Sequence, residues 1–406
     1  MAKGDGGLCG ASGAQNNRYG YGRIALGALP IAGLWDGGGT TNNWSEGANW
    51  DDGAVPGVST PVLFNATSIK NATVNGNTTA ANLTLDAGYT DAVTLGGALT
   101  VSGDLTLNSG TLDVSASNYP LAIGGNFSRT GGSFTPHAGT VTFSGSGTKS
   151  ITGNTTFNNV VVGSGLTLAT ASDVTLGGAL TNGGSTHETK PVAGAGTVSF
   201  GLANIGVNVT SVGNLSSLDV TRLDQSFAGA PVPMQTGKYW TITPTGGGYN
   251  ATLTLPHAGL ADPSVCRNMG GWWDCARSSF DGTTVTRSGI TAFSDWAVGN
   301  AVPAPVAPAP VTANLDSGNA KLVWAHIPAD ANGYQVWWSS DPYFTPGSGP
   351  NHATVAAPTA TFTQAETPGA NYYYVVLGVN SVNALSSNSN RTGKFIFALT
   401  PGTGTP

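Results

Sequence analysis

The octapeptide VTLGGALT stands at Val93–Thr100 and again, letter for letter, at Val174–Thr181. The offset is 81 residues, and a looser copy, LAIGGNFS, lies between them at Leu121–Ser128. Each copy holds a Gly-Gly pair between two short runs in which apolar and small polar residues alternate. Alternation of that kind is the signature of a half-buried strand. The runs ANLTL (81–85), DLTL (104–107), TLDV (111–114), GTVTF (139–143) and GLTL (165–168) continue it from about Trp35 to Lys190. Gly tolerates φ > 0, so the pairs read as tight corners. Short strands between fixed corners are what a stacked solenoid requires. With coils of roughly 20–27 residues, the offset equals three or four coils. The competing architecture is a β-sandwich, which needs longer strands and Asn-Gly or Asp-Gly hairpin turns. Asn75-Gly76 is one such turn, but Gly-Gly corners prevail. A parallel β-helix is therefore expected over 35–190.

Composition narrows the rest. A chain of 406 residues has room for two or three domains. Charged residues make up 9%, against roughly 25% in ordinary soluble proteins. Apolar residues reach 39%, enough for a core, and 60 glycines with 23 prolines imply many turns. Good helix formers are sparse while Thr, Val, Gly, Asn and Ser dominate, so the chain reads as all-β. The net charge of −6 leaves no basic face for nucleic acid. No run of about 20 apolar residues exists to span a bilayer as a helix.

Residues 1–34 are rich in Gly, Ala and Asn. Their apolar stretch Ile24–Gly33 leaves two readings open, a degraded export signal and an extended leader. Cys9 stands alone. Cys266 and Cys275 bracket CRNMGGWWDC, a short ring that a disulfide closes easily. The alternative is two free buried thiols. A zinc site needs two further ligands nearby, and none appears in the sequence. A disulfide here fits an exported protein.

The segments Trp35-Asp36, TNNWSEGANWDDGAVPG (41–57), PVLFNATS (61–68), TLGGALTVSGDLTLNSGTLDVS (94–115) and GTVTFSGSGTKSITGNTTFNNVVV (139–162) resemble bacterial extracellular surface proteins with β-strand repeats, including autotransporter-like adhesins. The resemblance implies a secreted or surface-displayed shaft and brings no active-site residues. Over 191–300 the repeats stop and aromatic, longer strands appear, as in TGKYWTITP (236–244) and YNATLTLPH (249–257). The closing FSDWAVG (293–299) is similar to the end of a β-domain that follows such repeats, and a β-sandwich cap is expected. An open solenoid end exposes unpaired edges and core, which a cap removes. VPAPVAPAP (302–310) places a Pro/Ala linker at 301–310. Residues 311–406 resemble a fibronectin type III domain through Trp324, GYQVWWSS (333–340) and NYYYVVLGVNSVNALSSNSN (371–390). Such a sandwich packs an early Trp between its sheets. Alternation assigns Tyr334, Val336 and Trp338 to the core and turns Trp337 outward.

Little in the sequence points to chemistry. Acids such as Asp86, Asp91, Asp104, Asp113 and Asp173 are isolated at turns, and Asp51-Asp52 would point to opposite faces of a strand. His187-Glu188 reads as a charged loop tip. β-Helical polysaccharide lyases use acidic calcium ligands with a basic residue. Between 36 and 190 the bases are Lys70, Arg129, Lys149 and Lys190, none beside an acid cluster in sequence. No catalytic residue, metal ligand, nucleophile elbow, phosphate loop or cofactor-binding fingerprint is assigned. The Asn-x-Thr/Ser triplets at Asn65, Asn71, Asn77, Asn82 and Asn154 read as ladder and turn residues, or as surface glycosylation sites where the source modifies Asn. Aromatic residues remain as ligand- or partner-binding candidates: Trp272, Trp273, Trp337, Tyr343 and Phe344. The competing view makes them local core plugs.

The expectation is a noncatalytic, extracellular structural or adhesive protein, with a cell-surface filament subunit as one form of it. Its partners would be other surface proteins, copies of itself or glycans. The alternative is a carbohydrate-binding or polysaccharide-degrading β-helix protein.

Overall fold

A computed structural model describes residues 29–394, apart from 229–236, 270–272, 301–304, 328–329, 331, 348–350, 366, 368 and 381–383. Among the described residues the fold is all-β, with one 3-10 turn at Gly47–Asn49. From Val62 onward the strands wind into a parallel β-solenoid of about six coils. Each coil gives one strand to each of three faces.

The first face carries Val62–Phe64, Leu83–Leu85, Leu105–Leu107, Phe127–Arg129, Gly147–Thr152, Leu166–Thr170 and Ser185–Pro191, all parallel. The third carries Thr78–Ala80, Leu99–Val101, Leu121–Ile123, Thr140–Phe143, Asn159–Val162 and Leu180–Asn182. The second is split into a sheet of four strands and a pair, Thr155–Phe157 with Val174–Leu176. Strands of three residues suffice because two of the three side chains point inward. Leu83 and Leu85 are fully buried while Thr84 faces outward, and Leu105, Thr106 and Leu107 repeat the arrangement. Full burial of one such side chain contributes about 1.5–3 kcal/mol.

Register along the third face runs Leu99, Leu121, Val141, Val160, Leu180. The two identical octapeptides therefore occupy the same place on the coil, four coils apart. Both cross from the second face to the third. LAIGGNFS crosses from the third to the first, so it is the same device at another corner. The glycines act differently from expectation. None of Gly96, Gly97, Gly124 and Gly125 has positive φ. A Cβ on Gly97 would lie 2.4 Å from the carbonyl carbon of Gly76, and one on Gly124 would lie 2.2 Å from Ser102 O. Corners of successive coils touch backbone to backbone, and only glycine permits that approach. Asn75-Gly76 joins strands of different faces, so it is a coil corner rather than a hairpin turn.

Asparagine and aspartate stitch the corners outside. Asn82 Oδ1 accepts from Asp104 N at 2.7 Å, Asp104 Oδ1 from Asn126 N at 2.7 Å, and Asn126 Oδ1 from Ser150 N at 2.9 Å. Asn126→Ala should cost about 0.5–1 kcal/mol, because the exposed Ser150 N–H exchanges its acceptor for water. Faster amide exchange confined to 147–152 is the expected readout.

Both ends of the solenoid are covered, unequally. At the first end Trp35, Trp44, Trp50, Phe64 and Tyr89 form an aromatic plug, with Trp35 and Trp50 ring centroids 5.2 Å apart. Trp50 Nε1 donates to Trp44 O at 2.8 Å, and Trp35 Nε1 to Ile69 O at 3.0 Å. Glu46 holds the loop before it. Its carboxylate accepts from Thr40 and Thr41, through backbone and hydroxyl alike. These bonds, led by the Thr41 hydroxyl, bring its pKa down to about 2.

At the last end the first-face sheet does not stop. Ser185–Pro191 pairs in parallel with Leu166–Thr170 on one side and antiparallel with Ser217–Leu223 on the other. The sheet then continues through Tyr239–Thr245, Asp295–Asn300, Pro263–Asn268 and Trp273–Ala276, twelve strands in all. A five-stranded sheet, with Gly196–Phe200 at its edge, packs on this extension to form a β-sandwich around Val207, Val220, Trp240, Leu253 and Trp296. Glu188 lies within this shared strand and is fully buried, so His187-Glu188 is not the loop tip expected. After the linker, sheets of three and four strands form a second sandwich. Trp324 and Tyr334 meet edge to face at 5.1 Å in its core, with Val336 buried and Trp338 half-buried beside them.

Candidate functional site

The inward column of the first face runs Val62, Leu83, Leu105, Phe127, Ile151, Thr170, Glu188. Its last two members are polar. Along Ser185–Pro191 the three inward residues are Thr186, Glu188 and Lys190, all buried. A column built for leucine thus ends in a carboxylate and an ammonium where the sandwich meets the solenoid.

The turn Gly201–Asn204 explains them. Leu202, fully buried, belongs to the solenoid core, and its neighbour Ala203 to the sandwich core. Polar groups from both units fix the turn between the two cores. Glu188 Oε2 accepts from Ala203 N at 2.7 Å, and Trp240 Nε1 donates to Ala203 O at 2.9 Å. Arg222 donates to Leu202 O at 3.4 Å, while Asp224 accepts from its Nε and Nη2 at 2.6 and 2.8 Å. Lys190 Nζ donates to Asp173 Oδ1 at 2.9 Å and to Ser172 O. Burial pushes the pKa of Glu188 up to about 7, against the opposing pull of the turn's N–H groups and of Lys190. Its second oxygen has no hydrogen-bond partner among the described residues.

Beside the turn the two units diverge and leave a cleft of about 940 Å³. One wall is the last coil, with Val174–Leu176 and Leu180, and the opposite wall is the edge strand of the five-stranded sheet, with Thr197, Val198 and Ser199. Leu176 and Leu180 face the solenoid core but stay half-buried, because Leu202 covers only part of the last coil. Val198 is likewise half-buried against the sandwich core. Lys190 and Arg222 reach the lining already paired with Asp173 and Asp224, and Lys238 adds a positive charge with no ion pair among the described residues. This lining suits binding of an extended, partly apolar segment carrying negative charge. It does not bring together the several acids and one base that the polysaccharide-lyase alternative requires. Among the described residues, no group of three or more His, Cys, Asp and Glu side chains gathers as a metal site.

The aromatic candidates are elsewhere. Trp272 lies outside the described residues. Trp273 is 3% exposed and packs on Phe227 with ring centroids 5.2 Å apart, so it is a core plug and not a binding face. It borders the hairpin in which Cys266 and Cys275, directly opposite in register, form a disulfide. Trp337 does sit opposite the module core, as alternation requires. It is nevertheless only 9% exposed, covered by Phe344, Val375 and Leu377 and stacked on His352 at 4.5 Å. Phe344 is half-buried under Arg391. Tyr343, at 88% exposure, is the one of the four described candidates that stands free in solvent. The seam cleft is not among the sites that the sequence points to. Its signal was three polar residues at the inward positions of TKP-ending strand 185–191, where the period calls for apolar ones.

No protein-family model matches the chain, and no curated protein does either. Among solved structures, a Fn3-like protein from Clostridium thermocellum is 32% identical over 22% of this chain and 91% of its own length, with a TM-score of 0.18. A beta-1,2-glucanase from Parabacteroides distasonis is 13% identical, covering 53% of this chain and 37% of its own, with a TM-score of 0.20. No helix among the described residues is long and apolar enough to cross a membrane.

Proposed function

We propose that this chain is a noncatalytic structural and adhesive protein of the cell exterior, in which a stiff solenoid carries a terminal sandwich module. The observation that supports the reading is the twelve-stranded sheet. Its hydrogen bonds run unbroken from the first coil, at Val62–Phe64, to the disulfide-closed hairpin at Cys266–Cys275. Tension or bending is shared by a continuous ladder rather than by a flexible joint. Few charges and many outward Thr, Ser and Asn give a neutral, hydrated flank.

Antibodies raised against residues 311–394 should label intact producing cells, and deleting the gene should lower surface attachment severalfold. Label that appears only after lysis would sink the reading. The carbohydrate alternative is favoured by one observation, the exposed Tyr343 ring. Retention of the full chain on purified glycans, lost in Tyr343→Ala, would shift the balance toward it.

A further inference from the structure

We propose that the seam cleft receives the exposed acidic loop Asp51–Val58 of a second copy, so that chains join head to tail; this names the partner within the structural reading above and rests on it. Three independent features of the two ends point the same way.

The first is the sheet. Its third face begins at Thr78–Ala80 and finishes at Leu180–Asn182, and neither terminal strand has a partner on its outer side among the described residues. The first coil's other two faces do have a cover, through bridges from Leu34 to Leu63 and from Asn43 to Thr73. Displacing one copy along the coil axis brings its first end toward the last end of another. A contact between unlike surfaces of identical chains makes a ring when its rotation closes and an open fibre when it does not, and a displacement along the coil axis belongs to the second case.

The second is charge. In the cleft lining Lys190 is buried and paired with Asp173, and Arg222 is buried and paired with Asp224, so the cation left to meet an incoming carboxylate is Lys238, which has no ion pair among the described residues. The loop offers Asp51 and Asp52, both exposed, and the sequence holds no Lys or Arg between 51 and 69. Their carboxylates accept from Ile31 N and Ala54 N, bonds that leave the negative charge in place.

The third is apolar surface. Val55 is 42% and Val58 69% exposed at the first end. The cleft holds the half-buried Leu176, Leu180 and Val198, core-facing residues with no complete cover. Seating the loop would finish the cap that Leu202 begins.

Sedimentation velocity of the full chain across a concentration series tests the proposal. Growth from single chains to linear oligomers is expected, weakening with added salt. Lys238→Glu and Asp52→Lys should each lower the association constant roughly fivefold, the size of an exposed ion pair. Together they should restore it. Val58→Asp should lower it roughly tenfold or more, since an apolar contact becomes a buried charge. A photo-crosslinker at position 58 should map to residues 174–180 and 196–199 of another chain. Single chains at every concentration, indifference to both charge reversals, or crosslinks mapping elsewhere would each overturn the proposal. Circular dichroism identical to the parent confirms that each variant is folded. Cells labelled from outside but carrying a chain that never associates would sink this inference alone and leave the surface reading standing.

Discussion

Gly201→Ala should destabilise the chain by about 3–4 kcal/mol and open the seam before anything else. A Cβ at Gly201 would lie 1.7 Å from Val174 O and 2.8 Å from Val174 C. Both are backbone atoms of a strand hydrogen-bonded to Thr155–Phe157, so neither can swing aside. The turn must back away from the coil, and Leu202 then leaves the solenoid core it plugs. The cost combines overpacking, roughly 1–3 kcal/mol, with lost burial of a leucine. Amide exchange should rise first in 168–176 and 196–206. Gly194→Ala is the matched control, because its Cβ would meet nothing within 4 Å. Equal stability of the two variants would show that the turn does not hold the units together.

The seam should also weaken as pH rises from about 4.5 to about 8. Glu188 titrates near 4.5 when unfolded and near 7 when folded. Its folded pKa lies above the unfolded one, so the native state binds the proton more tightly. The stabilisation is complete below the unfolded value and is lost as pH climbs through 7. The difference amounts to about 3 kcal/mol. The cause is burial of the carboxylate at the end of an apolar column, with one oxygen lacking a partner among the described residues. Glu188→Gln keeps an acceptor for Ala203 N–H and cannot ionise. It should flatten the pH dependence of unfolding between 5 and 8 and be the more stable form at pH 8. A parent chain whose stability stays constant over that range would rule out a buried, titrating Glu188.

These two residues mark where sequence reading stopped. Gly201 and Glu188 are unremarkable in the text, a glycine after a strand and an acid beside a histidine. Their roles come from contacts across sequence separations that no local pattern encodes. Glu188 meets Ala203 only because Ser185–Pro191 is shared by two sheets, one parallel and one antiparallel. Trp337 shows the same limit on a smaller scale. Alternation placed it on the correct face, but its cover comes from Phe344 on a following loop and from Val375 and Leu377 on a distant strand.

The sequence by itself determined the strand class, the coil and its phase. Period-2 burial is a property of each strand alone, and the repeated octapeptide fixes where on the coil it must recur. Tertiary structure alone decided which glycines permit coil-to-coil contact, which carboxylate is stripped of water, and where two sheet edges are left apart to form a cleft. Those features depend on distances between segments far apart in the chain, and burial and desolvation exist only once those segments have met.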